Sequence, residues 1–235
     1  MLKRYAAGGA WIVVAVAILG VALIATANPA QADQFTFTSC HLSGGCGSAT
    51  SFGTVTLTQS GTSVLVDVVL NSGNRFVETG AGGGELFLFN DSLSGSTITN
   101  ISATLNGATV TIPGGLSGFT NLSPVHADGT GFFTASVECT DSSACNGGST
   151  PNINDLHFTV TSATLAQLEV GNGNDNLFVA DILCGQTGCT GLTGPVDVSA
   201  TVPEPTTLLM VGTALLGLGA AWRRRRSQSE RALAV

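Results

Sequence analysis

The chain has 235 residues and a formal net charge of −7 at pH 7, but its charges are distributed unevenly. Thirteen acidic residues and one basic residue, Arg75, lie between Asp33 and Val202, which gives this stretch a net charge of about −12. Because such a segment cannot neutralise a phosphate backbone, the composition excludes nucleic-acid binding by the middle of the chain.

Residues 1–32 have the three parts of a secretory signal peptide. Lys3 and Arg4 form a positive start, the apolar run WIVVAVAILGVALIATA follows, and AQA supplies small residues for cleavage. We predict cleavage after Ala32, with Ala30 and Ala32 at the small-residue positions and Asp33 as the new N-terminus. This route uses the export translocon and signal peptidase. Because the apolar run is slightly longer than usual, an uncleaved anchor is the alternative.

All six cysteines lie in the middle of the chain, in pairs that each bracket a short loop. An even number of cysteines in an exported domain is typical of disulfides. The close spacing favours local pairing of Cys40 with Cys46, Cys139 with Cys145, and Cys184 with Cys189. Only His41 lies beside a cysteine, so the pattern does not favour zinc and we predict no metal site among these residues.

The stretch ISATLNGATVTI predicts a β-hairpin. Asn106-Gly107 is a two-residue turn of the kind that requires positive φ at both positions. Folding there pairs Leu105 with Ala108, Ala103 with Val110, and Ile101 with Ile112. These apolar residues share one face, while the intervening threonines and serine lie on the other.

A second hairpin is predicted in TVTLTQSGTSVLV, with Ser60-Gly61 as its turn. This register pairs Leu57 with Val64 and Val55 with Val66, and again gathers the apolar residues on one face.

Further strands are predicted at QFTFTS, ELFLFN, FFTASVE, DLHFTVT, NLFVADIL and PVDVSAT, separated by clusters of Gly, Asn, Ser and Pro. The stretch ATLAQLEV is either a short helix or one more strand. About ten strands at this spacing predict an all-β fold, an antiparallel two-sheet sandwich of jelly-roll type. We place this acidic domain at residues 33–200.

No residue set in the middle of the chain predicts an enzyme, and we predict no catalytic residue. The nearest approach to a G-x-S-x-G nucleophile elbow is GLSGF at 115–119, in which Phe119 replaces the last glycine. His157 alternates with Leu156 and Phe158, so we expect it on the solvated face beside Asp155. A general base formed by that His/Asp pair is the alternative, but nothing nearby in the sequence completes a mechanism.

Two binding chemistries remain as alternatives. Scattered carboxylates could act on a carbohydrate, although the tryptophan and tyrosine platforms usual in sugar sites are absent between residues 33 and 202. GNGNDNLF at 171–178 matches part of a calcium-binding repeat, so a Ca²⁺ site on Asp175 is the second alternative. The repeat is present in one copy, and a turn rich in Asn and Gly is the simpler interpretation. No other cofactor is predicted.

The C-terminal part of the chain contains a second apolar stretch. Pro203, Glu204 and Pro205 precede seventeen mostly apolar residues, 206–222. The positive cluster Arg223, Arg224, Arg225 and Arg226 follows. At about 1.5 Å per residue this stretch just spans a hydrocarbon core, which predicts a transmembrane helix with the arginines on the cytoplasmic side. Residues 227–235 then form a cytoplasmic tail.

This tripartite arrangement closely resembles the PEP-CTERM sorting signal of certain bacteria. The matching parts, within residues 201–226, are the VPEP motif, the short apolar span and the arginine cluster. The resemblance implies that an exosortase-type membrane enzyme recognises Val202, Pro203, Glu204 and Pro205 and cuts the chain near them. The resemblance further implies that the protein is then delivered to the cell surface or to an extracellular polysaccharide matrix.

The sequence therefore predicts an exported protein that is inserted transiently in the inner membrane, processed, and released to the cell envelope or matrix. Its β-domain, which resembles no named family, is predicted to be structural or adhesive rather than enzymatic. The alternatives are a secreted carbohydrate-binding or carbohydrate-cleaving domain and a calcium-dependent adhesion module. For the C-terminal segment, the alternative is a permanent transmembrane anchor.

Overall fold

The computed structural model describes residues 31–79, 84–92, 94–146 and 153–199. Most of the predicted signal peptide lies outside the described residues, as do the VPEP motif, the second apolar span and the arginine cluster. Ala32 and Asp33, which flank the predicted cleavage point, both lie in the first strand. Within the described ranges, no helix is long and apolar enough to cross a membrane.

The described residues form fifteen strands, one short α-helix and one 3₁₀ helix. The strands are β1 (Ala32–Phe37), β2 (Ser39–Cys40), β3 (Gly53–Ser60), β4 (Ser63–Leu70), β5 (Arg75–Phe76), β6 (Glu85–Phe89), β7 (Thr97–Leu105), β8 (Ala108–Thr109), β9 (Leu116–Phe119), β10 (Val125–Ala127), β11 (Gly131–Phe133), β12 (Ala135–Cys139), β13 (Asp155–Thr161), β14 (Asn176–Leu183) and β15 (Thr193–Ser199). The helix α1 spans Leu165–Leu168, and the 3₁₀ helix spans Ser142–Ala144.

The strands form two large antiparallel sheets and one separate hairpin. The first sheet has the order β1-β3-β4-β13-β7-β8, and the second has the order β2-β15-β14-β6-β12-β9, with β5 paired to β14. β10 and β11 pair with each other. The prediction of an all-β fold built from antiparallel sheets is confirmed.

Phenylalanine rings join the two sheets face to face. Phe35 of the first sheet lies 5.3 Å from Phe178 of the second, and Phe158 of the first lies 5.9 Å from Phe87 of the second, measured between ring centroids. These side chains are buried in one continuous apolar cluster. Burial of a phenylalanine contributes about 1.5–3 kcal/mol, so this layer is a main source of the stability of the fold.

The β10–β11 hairpin covers part of the outer face of the second sheet. Leu88 of β6 and Val179 of β14 pack there against Ala127 and Phe133 of the hairpin. As a result, β6 is buried on both faces, and so is all of β14 except its last residue. This burial on both faces explains why the sequences of both strands are nearly continuous runs of apolar residues.

The hairpin predicted at Asn106-Gly107 is present. Both turn residues have positive φ, 53° and 81°, and Leu105 pairs with Ala108. The Val110 amide donates to the Ala103 carbonyl at 3.0 Å. β8 ends at Thr109, so the predicted pairing of Ile101 with Ile112 does not form and that part of the prediction is wrong.

The second hairpin is present with a different turn. Ser60 pairs with Ser63, so the turn residues are Gly61 and Thr62, and Leu57 lies opposite Val66 instead of Val64. Val55 likewise lies opposite Val68, where the sequence predicted Val66. Gly61 has φ of +60°, as a turn with glycine at its first central position requires.

Two predicted strands are each divided between different sheets. Within QFTFTS, the strand β1 of the first sheet ends at Phe37. The next strand, β2 (Ser39–Cys40), pairs with β15 in the second sheet. FFTASVE is interrupted at Thr134, which separates the covering hairpin from β12. ATLAQLEV contains the helix α1, the first of its two predicted alternatives.

The six cysteines form three local pairs at disulfide distance, as the spacing predicted. The Cα–Cα distances are 6.1 Å for Cys40–Cys46, 6.3 Å for Cys139–Cys145 and 5.7 Å for Cys184–Cys189. Each bridge closes a loop at the end of a strand, and Cys184 and Cys189 are buried in the core.

Replacing both Cys184 and Cys189 by alanine is expected to lower the free energy of unfolding by about 2 kcal/mol through loop entropy alone. The loss of buried sulfur contacts adds to this cost. The Cys40→Ala/Cys46→Ala variant removes a loop of similar length at half-buried positions, so it should lose less stability. Urea unfolding followed by circular dichroism measures both, and equal losses would contradict the contribution of burial.

Candidate functional site

His157 lies on the solvated face of the first sheet, as its alternation predicted, but its contact is with a neighbouring strand. Its Nδ1 lies 2.7 Å from Oδ1 of Asp67, the residue opposite it in β4. Asp155 instead accepts a hydrogen bond from Thr104 at 2.6 Å. The predicted His157–Asp155 pairing is therefore replaced by a cross-strand His157–Asp67 pair, because strand register decides which side chains meet.

The other two histidines also lie beside single carboxylates. His41 Nε2 is 3.2 Å from Oδ1 of the buried Asp197, and His126 Nδ1 is 3.6 Å from Oδ1 of the exposed Asp128. Among the described residues, no serine, threonine or cysteine side chain hydrogen-bonds to a histidine.

Ser117, the central residue of GLSGF, lies in β9 at the edge of the second sheet. Its hydroxyl is 2.7 Å from the Thr140 hydroxyl. The sharp strand-to-helix turn that exposes the nucleophile of an elbow motif is not formed there, because the segment is itself a strand paired with β12.

The segment that carries Asp175 is a tight turn organised by a neighbouring side chain. Oδ1 of Asn172 accepts hydrogen bonds from the Asn174 and Asn176 amides at 2.9 and 3.1 Å. Asp175 has φ of 60° and is exposed at the tip. This arrangement is the turn rich in Asn and Gly that the sequence offered as the simpler interpretation.

Four carboxylates come together at one end of the second sheet, and we call them the acidic cluster: Glu78, Glu85, Glu138 and Asp181. Glu138 of β12 lies directly opposite Glu85 of β6, and β14 on the other side of β6 contributes Asp181. Neighbours of Glu138 and Asp181 along each strand point into the core, so these two carboxylates lie on the outer face. Glu78 lies beside Gly84, where an added Cβ would clash with Glu78 Oε1.

Two members of the acidic cluster are buried and incompletely paired. Glu85 is 7% exposed and Asp181 is 4% exposed. Asp181 Oδ2 accepts hydrogen bonds from the Thr79 amide at 3.0 Å and the Thr79 hydroxyl at 2.5 Å. Its Oδ1, like Glu85 Oε2, is buried and has no hydrogen-bond donor. Charges in such a position are costly unless they are neutralised.

The surroundings raise the pKa of every carboxyl in the acidic cluster. Burial raises the pKa of Asp181 to about 6, against hydrogen bonds from Thr79 that lower it. Burial also raises the pKa of Glu85, and although its own backbone amide lowers it, Glu138, Glu78 and Asp181 raise it further. The pKa values of Glu78 and Glu138 are raised chiefly by burial. The cluster therefore holds protons more tightly than exposed carboxyls do.

The raised pKa values of these carboxyls predict that the protein loses stability as the pH rises. The folded state keeps a proton on Asp181 up to about pH 6, whereas the unfolded chain loses this proton near the ordinary aspartate pKa of 3.8. Between these two pH values the folded state binds more protons than the unfolded chain, so the free energy of unfolding falls as the pH rises from about 3.8 to about 6. The charge of Asp128 helps to raise the pKa of Asp181, and the raised pKa of Glu85 changes the stability in the same direction.

Substitution of Asp181 by asparagine should reduce the fall in stability between about pH 4.5 and 7.5 by about 2 kcal/mol. Urea unfolding at the two pH values measures the fall. Asp175→Asn, at the exposed turn, is the matched control and should leave the pH dependence as it is in the wild type. An unchanged fall in Asp181→Asn would contradict this origin.

The sequence contains a signal for the acidic cluster that belongs to none of the motifs described above. Asp181 interrupts the apolar run of NLFVADIL, and Glu85 begins the apolar run ELFLF. An acidic residue within a strand that is otherwise buried on both faces indicates a special environment. Its partners could not be named, because they come from separate strands and a segment after β5.

A second carboxyl pair joins the start of β1 to the segment after α1. Burial, a hydrogen bond with Asp33 and charge repulsion from Asp33 together raise the pKa of Glu169 to about 7. Asp33 is the residue predicted to become the N-terminus after cleavage. Its strand begins one residue earlier, at Ala32, and the Gln31 carbonyl accepts a hydrogen bond from the Gln59 amide at 3.0 Å.

An open groove of about 350 Å³ lies between the covering hairpin and the turn that carries Asp175. It is lined by Asn90, Phe132 and Asn172 among others, and the Phe132 side chain is 58% exposed. The His126 ring lies 4.9 Å from the Phe132 ring. The groove thus combines one exposed aromatic ring with side-chain amides.

Within the described ranges, no three histidine, cysteine, aspartate or glutamate side chains lie close enough together to form a ready-made metal-ligand set, and the acidic cluster is no exception.

The residues predicted to direct sorting lie outside the described ranges, and comparison with known proteins bears on them directly. Residues 201–226 match the family model described as the PEP-CTERM protein-sorting motif. No curated protein and no solved structure matches the chain. The motif implies an exported protein that an exosortase sorts toward the cell surface. Residues 201–226 of this chain are therefore a PEP-CTERM protein-sorting motif, as the sequence predicted.

Proposed function

We propose that this chain is a bacterial surface or extracellular-matrix protein whose β-domain is a structural or adhesive component without enzymatic activity. The observation that carries the proposal is the sorting motif at residues 201–226. The domain before it is acidic, locally cross-linked and built around a large apolar core, which suits a durable extracellular component.

In this proposal the translocon and signal peptidase act first, and the chain is then held in the inner membrane by its second apolar stretch. The exosortase-type enzyme recognises Val202, Pro203, Glu204 and Pro205, while Arg223, Arg224, Arg225 and Arg226 keep the end of the span on the cytoplasmic side. Cleavage releases the β-domain to the surface or to an extracellular polysaccharide.

Intact-mass spectrometry of the protein from its native host tests this route. The extracellular fraction should contain a species that begins at Asp33 and ends near Pro205. Extra mass on this species would identify a covalently attached glycan or matrix component. A species that still ends at Val235 in every fraction would contradict processing and support a permanent anchor.

Carbohydrate binding is the second candidate function, and the groove beside Phe132 favours it. Sugars bind to an exposed aromatic ring flanked by amide groups, and Phe132 can supply such a ring although it lacks the polar edge of tyrosine or tryptophan. A glycan array probed with the wild type and with Phe132→Ala tests this candidate. Binding that Phe132→Ala abolishes would support it, whereas no binding by the wild type would count against it.

A further inference from the structure

We propose that Asn106 is a site of spontaneous deamidation, and that the fold protects another Asn-Gly pair, Asn172-Gly173, from the same reaction. Asparagine followed by glycine is especially open to this chemistry, because glycine leaves the next backbone amide unhindered. Both pairs lie at turns, so the sequence alone does not distinguish them. A third pair, Asn146-Gly147, extends beyond the described residues. The inference does not depend on the sorting proposal.

The reaction needs only the chain itself and water. The backbone nitrogen of Gly107 attacks Cγ of the Asn106 side chain and forms a new N–Cγ bond. The side-chain nitrogen then leaves as ammonia, with the proton that the Gly107 amide gives up. The product is a cyclic succinimide. Water opens this ring at either carbonyl carbon, which yields aspartate or, with the backbone running through Cγ, isoaspartate.

The groups that take part in the reaction are accessible at Asn106. Both turn residues are exposed, and nothing lies within 4 Å of the position that a Cβ on Gly107 would occupy. Within the described ranges, Asn106 hydrogen-bonds only through its backbone amide, which donates to Oδ1 of Asn154 at 2.7 Å. In the same ranges the Gly107 amide donates to no backbone carbonyl. The attacked carbon and the attacking nitrogen therefore have no hydrogen bonds to lose.

The backbone at Asn106 must rotate before the reaction occurs, and the hairpin permits this at low cost. The strand β8 has only two residues, Ala108–Thr109, and it is the last strand of its sheet. Two residue pairs and the hydrogen bond from the Val110 amide to the Ala103 carbonyl hold the hairpin closed there. Short segments at the edge of a sheet open locally more often than core strands do.

The side chain of Asn172, by contrast, is held at both of its polar atoms. Its Oδ1 accepts hydrogen bonds from the Asn174 and Asn176 amides at 2.9 and 3.1 Å. Its Nδ2 donates to the Thr130 carbonyl at 2.8 Å. These bonds must break before Cγ can turn toward the next backbone nitrogen. The amide that lines the groove beside Phe132 is therefore the one that the fold preserves.

Incubation of the full chain in non-ionic detergent at mildly alkaline pH, followed by peptide mapping with mass spectrometry, tests the proposal. Asn106 should convert to aspartate and isoaspartate at least about tenfold faster than Asn172, because three hydrogen bonds hold the Asn172 side chain. At mildly acidic pH the conversion at Asn106 should slow, since the attacking amide has to lose its proton.

The same incubation in concentrated urea separates the effect of the fold from that of the sequence. Both Asn-Gly pairs should then react at similar rates, because neither side chain is held. Asn172-Gly173 thus serves as the matched control within the same molecule. The proposal is wrong if the folded protein converts Asn172 as fast as Asn106. It is equally wrong if Asn106 stays intact in the folded protein while the urea-unfolded protein reacts, which would mean that the hairpin protects its own turn.

Discussion

Replacing Pro203, Glu204 and Pro205 together by alanine is expected to leave the protein uncleaved at its C-terminus and retained in the membrane fraction. Proline disfavours both the interior of a helix and a paired strand, so in the proposed route the motif is presented to the processing enzyme as an extended segment. Alanine removes this restriction and the carboxylate between the prolines, while the apolar span and the arginines stay. The measurement is the intact mass of the protein in membrane and extracellular fractions.

Glu230→Ala is the control for this variant, because it removes one carboxylate from the same C-terminal segment outside the matched residues. It should be processed as the wild type is. If the triple-alanine variant still yields the extracellular species that ends near Pro205, the motif is not what the processing enzyme recognises. If Glu230→Ala also stays in the membrane, the retention is not specific to the loss of the motif.

Phe87→Ala is expected to lower the free energy of unfolding by about 3–5 kcal/mol, a large part of the stability of an ordinary domain. The Phe87 ring lies 5.9 Å from Phe89, 5.9 Å from Phe158 and 6.0 Å from Phe178. It thereby joins β6 to β14 in its own sheet and to β13 in the facing sheet. Its removal leaves a cavity between the sheets that the paired strands cannot close.

Urea unfolding followed by circular dichroism measures this loss, and Phe132→Ala provides the comparison. Phe132 is 58% exposed, so its replacement should change stability by less than about 0.5 kcal/mol. A loss below about 1 kcal/mol for Phe87→Ala would mean that the sheets are not held together by this ring layer.

Several features could be predicted from the sequence because they depend on residues close together along the chain. The limits of β13 and β14 coincide with DLHFTVT and NLFVADIL, where strand-forming runs are bounded by turn residues. The Asn106-Gly107 turn has the predicted positive φ values because few other residues tolerate them. Local cysteine pairing follows from loops of a few residues, whose ends are always near each other.

The register of the β3–β4 hairpin was predicted wrongly for an identifiable reason. The predicted and observed pairings of Leu57, with Val64 and with Val66, differ by two residues on one strand. A shift of two residues keeps every side chain on the same face, so the apolar pattern fits both registers. The observed register depends on Gly61 at the first position of the turn. The alternation of apolar and polar residues along the strands does not indicate which residues form the turn.

By itself, the amino-acid sequence determined the longer strands, the tight turn at Asn106-Gly107, the local cysteine pairs and the C-terminal sorting motif, all of which depend on short stretches of chain. Only the tertiary structure decided that FFTASVE divides at Thr134 and that Glu85, Glu138 and Asp181 meet at one end of the second sheet. The order of strands depends on which apolar faces still need to be covered once local structure has formed. That requirement is met by residues far apart in the chain, so no local pattern contains it.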